Sequence, residues 1–285
     1  MQIKLKKYHG LGNDYLVYDP RENTAELNEE RVKLICHRNF GPGGDGILFG
    51  PILTDASIAV RIFNPDGSEA EKSGNGVRIF SKYLKDAGYV KDNSFILSTL
   101  GGDVKVDYLN ADGTMIKALM GTVSFSSSEI GLTGLERQVV AEDFDFGGET
   151  YNATCVTIGN PHCVIKLPEI SREKACTLGP LAENAPYFIN RINVQLVRVI
   201  DECNIQAEIY ERGAGYTLAS GSSSCAAASA MYKQGFVGPH VAVHMPGGTL
   251  QIDIQEDQTV YMTGPVASVC EIILSGDFVK ELLSK

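Results

Sequence analysis

The feature that most constrains this chain is that it repeats itself. Ser73-Gly74-Asn75-Gly76 leads into residues 77–87, and 147 positions later Ser220-Gly221-Ser222-Ser223 leads into residues 224–234. The same offset pairs Phe63 with Tyr210, Gly88-Tyr89-Val90 with Gly235-Phe236-Val237, and Gly12-Asn13 with Gly159-Asn160. Slipped by one, it pairs Gly101-Gly102-Asp103-Val104 with Gly247-Gly248-Thr249-Leu250. A period of half the chain is too long for a solenoid. It implies two similar domains, and 285 residues suffice for two separate cores. Each serine-led stretch reads as a turn that opens a helix. A Ser is placed to cap, small residues let a ligand approach the backbone, and a helical stretch follows.

Net charge is −10 with a pI near 5.0, which argues against a nucleic-acid surface or an anionic membrane as partner. It leaves an anionic small molecule open, because helix N-termini bind carboxylates without net positive charge. The seven Cys have irregular spacing and no CxxC, so neither a disulfide framework nor a zinc site is expected. Most of them fit small buried residues in a reducing cytosol. Residues 1–7 lack the apolar core of a signal peptide, and no apolar run is long enough to span a membrane, so a cytoplasmic protein is expected. His240 and His244 share a strand face without a third ligand, and no metal is expected.

Along the chain, strands are expected at 3–9, 15–19, 57–64, 94–99, 103–108 and 115–120, with a helix over 28–37. Gly41-Pro42-Gly43-Gly44-Asp45-Gly46 matches GxGxxG, but Ile47-Leu48-Phe49 after it reads as a strand. The helix that a nucleotide fingerprint requires is missing, and a glycine-rich loop remains. The Ser- and Gly-rich stretch 121–134 marks the domain junction. The expected domains are 1–123, completed by 267–285, and 124–266. Strands are expected again near 150–158, 162–166, 192–199, 206–210, 241–244, 249–254, 259–263 and 269–275. Strands outnumber helices and each half carries one long helix. This favours an α+β fold, each half a curled, mostly antiparallel sheet around a central helix, over a doubly wound parallel sheet.

Two helix N-termini related by such a repeat would face each other across a cleft and share a carboxylate. Ser73 and Ser220 would lie on opposite sides of the bound molecule, placed to take a proton from one face of a carbon and return it to the other. The plainer reading makes both serines helix caps only. Asn13 and Asn160, matched at the same offset, favour ligand recognition, since loop amides near such a mouth seek polar partners.

The motifs His9-Gly10-Leu11-Gly12-Asn13-Asp14, Phe63-Asn64-Pro65-Asp66-Gly67-Ser68-Glu69, Ser73-Gly74-Asn75-Gly76-Val77-Arg78, Gly159-Asn160-Pro161-His162-Cys163, Glu211-Arg212-Gly213-Ala214-Gly215 and Thr263-Gly264-Pro265 resemble diaminopimelate epimerases over essentially the whole chain. The resemblance implies a cofactor-independent, two-base isomerase with its site between two pseudo-symmetric domains. The reaction is the inversion of LL- to meso-diaminopimelate in the supply of lysine and peptidoglycan precursors. It implies that Asn64, Asn160, Asn193 and Arg212 clamp the distal amino acid end. Asn13, Gly74, Asn75, Gly221 and Ser222 surround the reacting end. The implied partner is a small amino acid, with a homodimer left open.

This chain departs from the family pattern at the chemistry. The two catalytic cysteines of the family fall on Ser73 and Ser220, a usual Glu on Tyr216, and a Gln of some members on Gly46. A Ser hydroxyl is no useful base without an activating neighbour. His9, His162, Lys72 and Glu211 are the candidates, with His162 and Glu211 the foremost. Three readings fit the double change: serines introduced to trap a complex, a natural Ser/Ser branch acting on diaminopimelate or another amino acid, and a non-catalytic amino acid binder.

Overall fold

The computed structural model describes residues 2–54 and 57–285. The chain forms two compact units, Met1–Ala118 with Gly264–Lys285, and Leu119–Thr263. Both boundaries fall inside strands, Met115–Thr122 and Thr259–Pro265. The Ser-rich stretch lies within the second unit, where Ser127 Oγ accepts the Arg137 N–H at 3.1 Å. The helices are Glu29–Cys36 (α1), Gly74–Asp86 (α2), Ser127–Ile130 (α3), Arg172–Glu183 (α4), Gly221–Lys233 (α5) and Gly276–Leu283 (α6).

In the first unit the hydrogen-bonded order is Ala267–Ile273, Lys4–Gly10, Asn13–Tyr18, Ile47–Leu53, Ile58–Phe63, Ser94–Thr99, Gly102–Tyr108 and Met115–Thr122. Only the third-to-fourth and fifth-to-sixth steps are parallel. In the second unit the order is Glu142–Phe146, Glu149–Thr157, Pro161–Lys166, Asn193–Asp201, Asn204–Glu211, His240–Met245, Gly248–Ile254 and Thr259–Pro265. The parallel steps fall at the same two places. The sequence repeat is therefore a repeat of topology, and the fold is α+β with two like units.

Each sheet wraps its serine-capped helix. α2 is buried continuously from Gly74 to Leu84, and Val77, Ile79, Phe80 and Tyr83 share one core with Tyr8, Val17, Leu48, Ile62, Val104 and Ile116 from across the sheet. A helix apolar on several sides needs walls all round it, and the curled sheet supplies them. α5 is buried from Ser223 through Met231 and uses the small side chains of Cys225, Ala226, Ala227, Ala228 and Ala230. α1 starts where Asn28 Oδ1 accepts the Arg31 N–H at 2.9 Å, with Glu29 and Glu30 in the positive first turn.

α4 has no counterpart among the sequence expectations. Gly179-Pro180 inside it reads as a helix breaker, yet the helix continues through Glu183 with Pro180 in its interior. Packing overrides propensity at this point. A Cβ on Gly179 would stand 2.4 Å from Tyr210 Cγ, so the glycine lets the helix settle on the strand Asn204–Glu211.

Candidate active site

In the first unit the chain leaves the two-residue strand Glu69–Ala70 and turns into α2 at Ser73. Ser73 is extended (φ −136°, ψ 119°) and its Oγ accepts the Gly76 N–H at 3.0 Å. Gly76 sits in a close fit, since a Cβ there would stand 3.1 Å from Ser73 Cβ and 3.2 Å from Leu48 Cδ2. A helix start leaves N–H groups outside its own ladder and carries the positive end of its dipole, so this mouth suits a carboxylate.

Around the mouth runs a directional network. Arg78, fully buried, donates from Nη2 to Asn75 Oδ1 at 2.8 Å and from Nη1 to Gly74 O at 3.3 Å. Asn75 Nδ2 donates to Asn13 Oδ1 at 3.0 Å, and Asn13 Nδ2 donates to Asp45 Oδ2 at 2.8 Å. The guanidinium at one end can only donate and the carboxylate at the other only accept, so both amide orientations are fixed. Asp45 is presented by the glycine-rich loop, which is pinned by Gly43 N–H to Ile35 O at 3.0 Å and Gly44 N–H to Cys36 O at 3.1 Å. Arg38 joins Asp45 to Asp14, and Lys7 reaches Asp14 at 2.7 Å. Burial raises the Asp14 pKa, but these two cations outweigh it and hold the carboxyl at about 2. Asn64 stands apart from this network. Its amide donates to Ser68 Oγ at 3.0 Å within the turn after Ile58–Phe63.

The second unit repeats the design with other residues. Ser220 caps α5, its Oγ 3.4 Å from the Ser223 N–H. Asn160 Nδ2 donates to Ser222 Oγ at 3.4 Å, and the two positions are 62 apart, as are Asn13 and Asn75. His162 Nε2 lies 3.1 Å from Asn160 Oδ1. Because the Asn160 oxygen accepts, the His162 proton sits on Nε2. Two buried acceptors near it, His162 Nδ1 and Gln195 Oε1, have no donor while Gln195 Nε2 faces Ser223 Oγ at 3.1 Å. Turning the Gln195 amide over supplies both, with Ser223 donating to Oε1 and Nε2 donating to His162. The relay then runs Ser223, Gln195, His162, Asn160, Ser222, one direction throughout.

His162 therefore supports Asn160 rather than activating Ser220, with which it shares no hydrogen bond among the described residues. Burial first, and then the nearby Arg212 charge, pull its pKa down to about 3. An unfolded chain would bind a proton at His162 below about 6.5 while the folded chain stays neutral to about 3, so its contribution to stability is complete above 6.5 and is lost as pH falls through that window. Asp14, depressed to about 2 from 3.8, loses its contribution only below about 4. We expect the urea midpoint to fall between pH 6.5 and 4, and His162→Gln to flatten that fall. An equal slope in the variant would remove His162 as its source.

Asn193 and Arg212 stand beside Asn160. Asn193 Nδ2 donates to Pro161 O at 2.8 Å and its Oδ1 accepts the Arg212 N–H at 2.9 Å, so this amide ties the Arg212 loop to the Asn160 loop. Arg212 Nη1 donates to Asn190 O at 3.0 Å. Beneath the loop, buried Glu183 accepts the Gly213 N–H at 2.8 Å and Arg191 at 3.0 Å. Glu211 ends its strand, half-buried, with its carbonyl bonded to the Ala214 N–H. Tyr216 donates to the buried Glu208 at 2.7 Å, with Arg172 over its ring, so this position supplies no carboxylate to the loop. Burial and Glu208 both push its pKa up.

One neighbour of Ser73 escaped sequence reasoning: the Tyr15 hydroxyl lies 3.3 Å from Ser73 Oγ. The signal was present, since the 147-residue offset that pairs Asn13 with Asn160 also pairs Tyr15 with His162.

Residues 5–126 and 154–269 match the family model described as diaminopimelate epimerase. The chain is 50% identical over 274 residues, 96% of each chain, to diaminopimelate epimerase 2 of Nostoc sp. strain PCC 7120. It is 38% identical over 277 residues, 95% of this chain and 97% of the relative, to the diaminopimelate epimerase of Pelotomaculum thermopropionicum. Among solved structures, a probable proline racemase from Agrobacterium radiobacter K84 with bound carbonate aligns with a TM-score of 0.70 at 15% identity, over 96% of this chain and 93% of that one. A PhzF-family phenazine biosynthesis protein from Bacillus anthracis aligns with a TM-score of 0.66 at 15% identity, over 96% and 99%. These two likenesses concern the fold.

Proposed function

From the premise that this chain belongs to the diaminopimelate epimerase family, we propose that it inverts one α-carbon of LL-diaminopimelate to give the meso form, in the cytoplasm. The substrate is a small amino acid, and Ser73 and Ser220 each serve one face of the reacting carbon. The observation that carries this reading is the duplicated constellation: a serine-capped helix start with a loop asparagine bonded to the second residue of the helix, Asn13 to Asn75 and Asn160 to Ser222.

The α-carboxylate is received by helix-start N–H groups, which also stabilise the charge that develops when the α-proton leaves. Asn13, Asn75 and Ser222 present oriented polar groups there, with Gly74 and Gly221 giving close backbone access. Arg212, with Asn64, Asn160 and Asn193, holds the distal amino acid end. Proton transfer falls to two hydroxyls, which are weak bases, so the reaction is slow for this family's chemistry. Incubating the unmodified chain with LL-diaminopimelate in heavy water should yield meso product carrying deuterium at Cα. Neither deuterium nor meso product above a protein-free control would refute the reading.

A further inference from the structure

We propose that Tyr15 is the proton-relay partner of Ser73, acting through that serine in the inversion, and that Gly46 exists to seat it. The inference rests on the function proposed above. The Tyr15 hydroxyl lies 3.3 Å from Ser73 Oγ, and the residue is 7% exposed, so water competes little for the contact. A Cβ on Gly46 would stand 2.7 Å from Tyr15 Cε1, 3.1 Å from Cδ1 and 2.5 Å from Phe63 O, so any other residue there would displace the ring. The chain thus combines three linked features: a hydroxyl at position 73, a phenol aimed at it, and a glycine that makes room for the phenol.

Ser73 Oγ already accepts the Gly76 N–H at 3.0 Å. With Tyr15 alongside, a proton can move in one concerted shift. In one direction Ser73 Oγ–H breaks as its proton goes to the α-carbanion, forming Cα–H. Oγ–H re-forms with the Tyr15 proton, leaving a phenolate. In the other direction Cα–H breaks, its electron pair stays on carbon, Ser73 Oγ takes the proton, and the original Ser73 proton passes to the Tyr15 phenolate. The group whose protonation changes is then a phenol, with an ordinary pKa of about 10, rather than an aliphatic alcohol. Among the described residues Ser220 has no such arrangement. His162, the counterpart of Tyr15, donates to Asn160 instead. The two serines are therefore unequal, and among the described residues the relay stands behind Ser73.

The test is Tyr15→Phe, which keeps the ring in the Gly46 notch and removes one oxygen. With LL- and with meso-diaminopimelate, kcat should fall by ~10²-fold in both directions, as reversibility demands, with KM little changed. The pH dependence of kcat that belongs to the phenol should disappear in both directions, a fall at alkaline pH where Tyr15 gives its proton and a rise with pH where its phenolate takes one. A purely packing role would leave both in place. If the parent chain turns over and Tyr15→Phe matches it in kcat and pH profile, the relay is overturned while the epimerase reading stands. If the parent chain is silent with diaminopimelate, both fall together.

Discussion

Replacing both Ser73 and Ser220 by cysteine is expected to raise inversion of diaminopimelate by ~10²–10⁴-fold over the unmodified chain, the usual span of a well-matched acid–base contribution. A thiol titrates near 8.5, and a helix N-terminus pulls it lower, into the range where one thiolate takes a proton while the opposite thiol gives one. Both positions are built for this substitution. Each is an extended cap at the start of a buried helix, and Cys has nearly the shape of Ser. The cost is a weaker cap, since sulfur accepts poorly from the Gly76 and Ser223 N–H groups, up to about 1 kcal/mol at each site. If the double variant folds, binds substrate and shows no gain, the two-base assignment fails, and the inversion has to run through other groups.

Arg212→Ala should weaken binding of diaminopimelate far more than binding of a monoamino acid with no distal carboxylate. Arg212 is held by its backbone on Asn193 and by Nη1 on Asn190 O, which steadies the guanidinium for a forked contact with a carboxylate. Loss of a charge-assisted contact costs roughly 1.5–3 kcal/mol, or about 10- to 150-fold in affinity. Calorimetry with the two ligands reads the difference directly. Equal losses for both would take Arg212 out of the distal clamp.

Much of this molecule was legible in its sequence because the repeat survives in residues that geometry protects. Small residues at helix starts, capping serines and loop asparagines tolerate few alternatives, so the 147-residue offset stayed visible there. It announced two like units and both helix mouths. What stayed hidden depends on where side chains point. Asn193 reads as a ligand residue, and its motif does not show that its amide also ties the Arg212 loop to Pro161. His162 reads as a base, yet burial makes it a neutral strut under Asn160. Tyr15 is only the first residue of an expected strand, and that reading does not show its hydroxyl beside Ser73. α4 was not among the expected elements; it carries Pro180 in its interior and lies against Tyr210 at Gly179.

The central claim, one serine for each face of a single α-carbon, is tested most directly by the single variants Ser73→Cys and Ser220→Cys in heavy water, with LL- and meso-diaminopimelate analysed for deuterium and configuration. One thiolate can remove and return a proton on its own face, but fast inversion needs a matched donor on the other. The account predicts that each variant exchanges the α-proton of one epimer with retained configuration and little inversion, and that the two variants favour opposite epimers. Exchange of the same epimer by both, or rapid inversion by either alone, would contradict it.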